Sequence, residues 1–257
     1  MSDNSNSGTA GPVLVDLREY LTSAGVAAWE AIDELAGIVP HGRWAVVGGM
    51  MVTIHGQRYR REPYRTTGDG DIVVDVRSFG RQAMQDVAST LEAKGFVTTM
   101  SPENVTRFQR GRAKIDLLAP DGMGAAPVLT SPPGRALMAP GATQALGRAE
   151  LIEVQWGGTT IVRVPSLLGA IIAKAAASYE INSLEADERR KHQMDLVFLL
   201  GIAWAVDTSS MAVAMGKNDR KRLRAAMDRI GSDERFPWVG ADQQREVRST
   251  VADLLGT

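Results

Sequence analysis

Cysteine is absent from this 257-residue chain, which removes disulfides, thiolate nucleophiles and cysteine-ligated zinc together. Histidine is nearly as scarce. His41, His55 and His192 are scattered, so no histidine metal centre is expected and any bound cation should be held by oxygen. No uninterrupted apolar run reaches the roughly 18 residues of a membrane span, and the opening MSDNSNSGTAGP has neither the basic nor the apolar region of a secretory signal. A cytoplasmic protein without a membrane partner is the expectation. Neither sign of charge is in excess: 29 Lys and Arg stand against 30 Asp and Glu, a net charge of −1, so the chain lacks a basic domain's general attraction for polyanions.

What is present suits a folded protein, since 44% of the residues are apolar, enough for a core in one large domain or two modest ones. Basic residues gather in two places. Arg58, Arg60, Arg61 and Arg65 lie beside Tyr59 and Tyr64, and Lys217, Arg220, Lys221, Arg222 and Arg224 form a second block. Each is a phosphate footprint or, more blandly, a solvated loop or helix face.

Residues 1–12, almost without large apolar groups, read as a disordered tail. The apolar spacing from Val13 to Val39 suits two helices meeting near Gly25, with Pro40 as a stop. Trp44 to Val47 reads as a short buried strand ending on Gly48-Gly49, and Met50 to His55 as a short helix closed by Gly56. DIVVDV, residues 71–76, alternates as a strand, with a helix expected from Phe79 to Lys94 and three short strands at 96–100, 105–109 and 113–118. The Gly-, Pro- and Ala-rich stretch 119–145 suggests an irregular crossing or small lid, and 151–164 a hairpin about Gly157-Gly158. Beyond Pro165 the pattern is helical: 166–180, 184–201, 208–230 and 241–255. The expected fold is α+β (α/β), with a mixed-sheet core domain over 13–164 and a helical C-terminal domain over 165–257.

Chemistry concentrates in a few places. Asp69 and Asp71 share a face if the strand begins that early, about 6–7 Å apart at Cα, a spacing from which two carboxylates can converge on Mg²⁺. Gly48-Gly49, between a strand and a helix, lets the backbone approach a ligand and aims free N–H groups at a phosphate. Asp116, inside the apolar strand KIDLL, is costly there unless it meets a cation, which makes it a candidate third carboxylate. Either motif alone is weak. A strand, GG and a helix, then Arg65-Thr66-Thr67-Gly68-Asp69-Gly70-Asp71, then an Asp on a later strand leaves few competing explanations.

VVGGMMVTIHG, the Arg65–Asp71 segment and KIDLL together resemble the polymerase-beta-like nucleotidyltransferase superfamily, and within it the AbiEii-type toxins, including related mycobacterial ones. The resemblance implies that Gly48 and Gly49 hold an NTP triphosphate, that Asp69 and Asp71 bind metal, and that Asp116 assists; Arg65, Thr67 and Lys174 are the further candidates for binding the nucleotide, Lys174 and Arg65 by balancing phosphate charge.

In the helix after Pro165 the stripe Leu167, Leu168, Ile171, Ile172 and Ala175 turns Lys174 inward, where it either snorkels to the rim or serves a site. Asp195, among Met194, Leu196, Val197, Phe198, Leu199 and Leu200, needs a partner, and Lys174 is a candidate. AbiEii-like proteins carry a Lys and an Asp in the corresponding helices. Their Lys-Asp-x-x-Asp pattern becomes Lys191-His192-Gln193-Met194-Asp195 here, which leaves Asp195 as the matching carboxylate. The resemblance covers about residues 43–200. It implies transfer of NMP from an NTP to RNA, with the 3' end of tRNA as acceptor and a cognate antitoxin as partner. Asp116 or Asp195 would then position or deprotonate the acceptor hydroxyl. Two alternatives stand beside it, an aminoglycoside-type small-molecule nucleotidyltransferase and a non-catalytic nucleotide-binding module.

Overall fold

The computed structural model describes residues 12–100, 106–122, 128–130, 133–181, 185–234, 236–238 and 240–257. Residues 1–11 of the expected tail lie outside them, as do parts of the expected lid.

The fold is α+β. Its main sheet runs in the order β2 (Trp44–Val47), β3 (Gly70–Val74), β6 (Ala113–Pro120), β5 (Thr106–Arg110), β4 (Val97–Met100), with β9 (Leu137–Ala139) also pairing β6. A second sheet joins β1 (Val13–Asp16), β10 (Ala149–Gln155) and β11 (Thr159–Pro165), and β7 (Val128–Thr130) pairs β8 (Pro133–Arg135). Helices α1 (Ser23–Ala36), α2 (Gly48–Arg58), α3 (Val76–Ala93) and α4 (Ala142–Gly147) intersperse these strands. The chain ends in α5 (Leu167–Glu180), α6 (Ala186–Trp204), α7 (Ser209–Ala214), α8 (Lys217–Gly231) and α9 (Gly240–Leu255).

All four residues of β2, and Ile72, Val73 and Val74 of β3, are buried. Both faces of this part of the sheet are therefore covered, which explains runs such as WAVV and DIVV in place of a polar alternation. Buried residues from Val15 through Leu117, Ile172, Leu199 and Leu254 belong to one continuous cluster. Helix α5 is the hinge of that packing. It touches α4, α6 and α8, and its Leu167, Leu168, Ile171, Ile172, Ala175 and Ala176 are all buried.

Several expectations need correction. Val13–Asp16 is a strand, not a helix, and pairs in parallel with Ile152–Gln155; the helical spacing of Leu14, Leu17 and Leu21 was outweighed by a partner far away in sequence. Only one helix follows, started by Thr22, whose hydroxyl accepts from the Gly25 N–H at 3.1 Å. Gly56 does not close α2, which continues to Arg58. Its hydrogen instead admits the returning chain, since a Cβ there would lie 2.7 Å from the Arg61 carbonyl oxygen. Val76 opens α3 rather than ending β3, because the Asp75 side chain caps the helix by accepting from the Ser78 N–H. The expected helix 208–230 divides into α7 and α8 at Gly216, whose N–H donates to Asp219.

Candidate active site

Strand register builds the centre. In the antiparallel β2–β3 pair Val47 stands opposite Asp71, and in the parallel β3–β6 pair Asp71 stands beside Asp116. Helix α2 therefore begins against the Asp71 carboxylate. Its first residue, Gly48, has φ +64°, and a Cβ there would lie 1.7 Å from Asp71 Oδ2. Glycine is required at that position by space and by backbone conformation alike. Gly49 is nearly as constrained, because its Cβ would meet Thr67 Oγ1 at 2.7 Å. Val47 offers no capping side chain; the Gly49 N–H is engaged by the Asp71 carboxylate, and the start of α2 lines a cavity of about 330 Å³.

That cavity is lined by Gly48, Gly49, Arg65, Thr67, Asp69, Asp71, Arg107, Asp116 and Lys174, with Glu188, Lys191 and His192 along one wall. Eight of the nine expected site residues are thus brought together. The ninth, Asp195, lies behind the wall. It accepts from Arg65 Nε at 3.1 Å and Arg65 Nη2 at 2.7 Å, and it pairs with Lys174 Nζ at 2.7 Å. Lys174 and Asp195 are 4% and 5% exposed at their side chains, so each is the other's main compensation in the interior. Burial would raise the Asp195 pKa, but Lys174 and Arg65 together hold it below the usual carboxylate range. Asp195 is consequently charged and fully engaged, a poor candidate for accepting a proton.

Asp71 is in the opposite state. Burial, then the neighbouring Asp116, push its pKa up to about 6, with Lys174 opposing. It makes no ion pair among the described residues. Asp69 precedes β3 and stands at the mouth, 42% exposed. Asp116 does meet a cation, as its place in an apolar strand required, but that cation is Arg107. The two are cross-strand neighbours, and Arg107 Nε and Nη2 donate to both Asp116 oxygens at 2.8 and 2.7 Å. Arg107 Nη2 also lies 3.5 Å from Asp69 Oδ2.

Sequence reading missed Arg107. The signal was present, because β5 and β6 form a tight hairpin in which Arg107 and Asp116 sit nine residues apart, but their register is invisible without the turn. His192 was noted only as a departure. It lines the cavity with Nδ1 buried and unpartnered, and burial and Lys174 lower its pKa to about 3, so the ring is neutral. His55 is structural: its Nε2 lies 2.9 Å from the Pro165 carbonyl oxygen, and burial lowers its pKa to about 4.

The basic blocks turn out to be largely committed within the fold. Arg58 pairs with Glu150, Arg61 lies 3.9 Å from Glu246, and Arg65 holds Asp195. Tyr64 packs edge-on to Phe198. In the second block Arg222 bridges Glu180 and Asp121, while Arg220 donates to the carbonyls of Leu254 and Ala212.

Oxygen ligands for a divalent cation are available in Asp69 and Asp71. Among the described residues no three His, Cys, Asp or Glu side chains group as a metal cluster. Mg²⁺ suits such a site, because it commonly takes only one or two carboxylates and completes its shell with water and substrate phosphates. Asp71, desolvated and without a counter-ion, is the group a cation would restore to its charged form.

No protein-family model matches the chain, and no curated protein matches it. Among solved structures it is similar to an antigenic nucleotidyltransferase-like protein from Paracoccidioides brasiliensis, at 13% identity and a TM-score of 0.49, over 92% of this chain and 99% of that one. It is also similar to the antibiotic-resistance factor ANT(2'')-Ia, at 12% identity and a TM-score of 0.38, over 78% of this chain and 90% of that one. Among the described residues no helix is long and apolar enough to cross a membrane.

Proposed function

We propose that this chain is a Mg²⁺-dependent nucleotidyltransferase that moves a nucleoside monophosphate from an NTP to a hydroxyl of an RNA acceptor, the 3' end of tRNA, as the toxin of a toxin–antitoxin pair. The observation that carries nucleotidyl transfer is the convergence on one cavity of a glycine helix start, two acidic side chains and a buried lysine. The RNA acceptor, the toxin role and the antitoxin rest on the resemblance of the motifs.

The α2 N-terminus would receive the triphosphate, its N–H groups and dipole favouring negative charge. Lys174 and Arg65 offset phosphate charge from the far side, and Asp195 acts as a positioning residue that holds both cations in place. Mg²⁺ on Asp69 and Asp71 would supply the neutralisation that makes the α-phosphorus electrophilic. The acceptor oxygen forms a bond to the α-phosphorus as the bond to the bridging oxygen breaks and pyrophosphate leaves. The hydroxyl proton passes to solvent at the mouth.

The charge balance of the cavity bears on the acceptor. Its four acids are Asp69, Asp71, Asp116 and Glu188. Two are assigned to Mg²⁺, Asp116 is held by Arg107, and Glu188 pairs with Lys191. Among the described residues no lining carboxylate is left over for a polycationic small molecule, which favours RNA over an aminoglycoside. The test is incubation of purified protein with each labelled NTP, Mg²⁺ and total RNA, with an aminoglycoside arm and an Asp69→Ala control. Label in RNA that disappears in the control supports the proposal. Label confined to the aminoglycoside arm removes the RNA acceptor, and label persisting in Asp69→Ala removes the metal assignment.

A further inference from the structure

Arg107 is a cavity-lining cation whose partner, Asp116, stands beside the Asp69 and Asp71 carboxylates. Asp116 receives it in a fork-to-fork pair, both oxygens engaged at 2.8 and 2.7 Å, and the two side chains are 25% and 13% exposed. This planar, two-point geometry is specific to guanidinium. Two-metal sites work differently: carboxylates bridge ions about 3.5–4 Å apart, so each carboxylate must have an oxygen free for metal. Asp116 has none. Its place beside Asp71 in the β3–β6 register is where a third ligand would stand, and that place is filled by an arginine from the next strand.

We infer that Arg107 substitutes for a second metal ion: the site loads one divalent cation, on Asp69 and Asp71, while Arg107, fixed on Asp116, provides the other positive charge facing the reacting phosphate. The inference rests on the nucleotidyl-transfer reading of this cavity. Its contact with Asp116 raises the Arg107 pKa further, so the charge is present at every working pH. A guanidinium also differs from a metal ion in that it cannot be removed by chelation or exchanged.

The experiment counts metal directly. Full-length protein with a non-hydrolysable NTP analogue is titrated with Mn²⁺, and free Mn²⁺ is followed by electron paramagnetic resonance, with the analogue alone as reference. Wild type should hold one Mn²⁺ per ternary complex, and Asp116→Asn should still hold one, because Asp116 is not a metal ligand. Arg107→Gln should acquire a second Mn²⁺ as Asp116 is released, whereas Arg107→Lys, which keeps the charge, should stay at one. Two ions in wild type falling to one in Asp116→Asn, or a single ion in Arg107→Gln, would overturn the substitution while leaving nucleotidyl transfer intact. A Mn²⁺ affinity in the ternary complex no higher than that of the analogue alone would instead remove the underlying reading. If Arg107→Gln does not fold, the wild-type and Asp116→Asn counts still decide.

Discussion

Replacing Asp195 by alanine should destabilise the protein severely, because it strands Lys174 in the interior. The lysine is 4% exposed and its ammonium sits 2.7 Å from an Asp195 oxygen. Removing one partner of a buried pair costs about 3–5 kcal/mol, since the remaining charge loses its compensation without regaining water. At roughly 2–4 °C per kcal/mol for a chain of this size, the melting temperature should fall by about 10 °C. Lys174→Met should cost less, because Asp195 would keep both Arg65 hydrogen bonds. The double variant Lys174→Met/Asp195→Leu should recover most of the stability, a neutral apolar pair replacing the ionic one, yet show no nucleotide transfer. Urea unfolding followed by tryptophan fluorescence measures all three. The pH dependence has a definite sign. With its folded pKa depressed, Asp195 contributes stability above the unfolded value of about 3.9 and loses it as pH falls through the lower folded value. The gap between wild type and Asp195→Ala should therefore close in acid. A loss under about 1 kcal/mol at pH 7, or a gap that widens in acid, would refute the reasoning.

Gly48→Ala should abolish transfer and lower stability by several kcal/mol, since the new methyl would overlap Asp71 Oδ2 in a left-handed backbone; thermal unfolding and the labelling assay check both. Asp71→Asn should abolish transfer but raise stability at neutral pH. Because its folded pKa is raised to about 6, the stability Asp71 contributes is complete below about 3.8 and lost as pH rises through 6. Unfolding without divalent cations should show wild type weaker at pH 8 than at pH 5 by about 1.4 kcal/mol from this group, and the asparagine variant without that decline.

The parts of the fold legible in the sequence are those whose determinants are local. Trp44–Val47, the hairpin about Gly157-Gly158 and the helices after Pro165 follow from apolar period and turn residues. Lys174 and Asp195 were legible for a related reason: a charged residue in a buried helical stripe demands a partner, and each was the other's nearest complement. Two kinds of feature were not legible. Strand β1 owes its form to a partner some 140 residues away, and four residues of alternating V-L-V-D do not outweigh a longer helical spacing. The Arg107–Asp116 pair depends on which residues a hairpin sets opposite one another, and one step of register would have pointed Arg107 elsewhere. For Asp195, sequence shows that a carboxylate is buried but not how many cations already hold it.

The Lys174–Asp195–Arg65 contact ties the onset of activity to the order of synthesis. Gly48, Asp71 and Asp116 can take their places once the main sheet forms, but the cavity has no lysine until α5 has emerged, and that lysine has no anchor until α6 has followed. A nascent chain long enough to fold its strands would still be catalytically silent. For an enzyme proposed to modify the RNA on which translation depends, the ribosome making it would be spared until its C-terminal helices had left the exit tunnel.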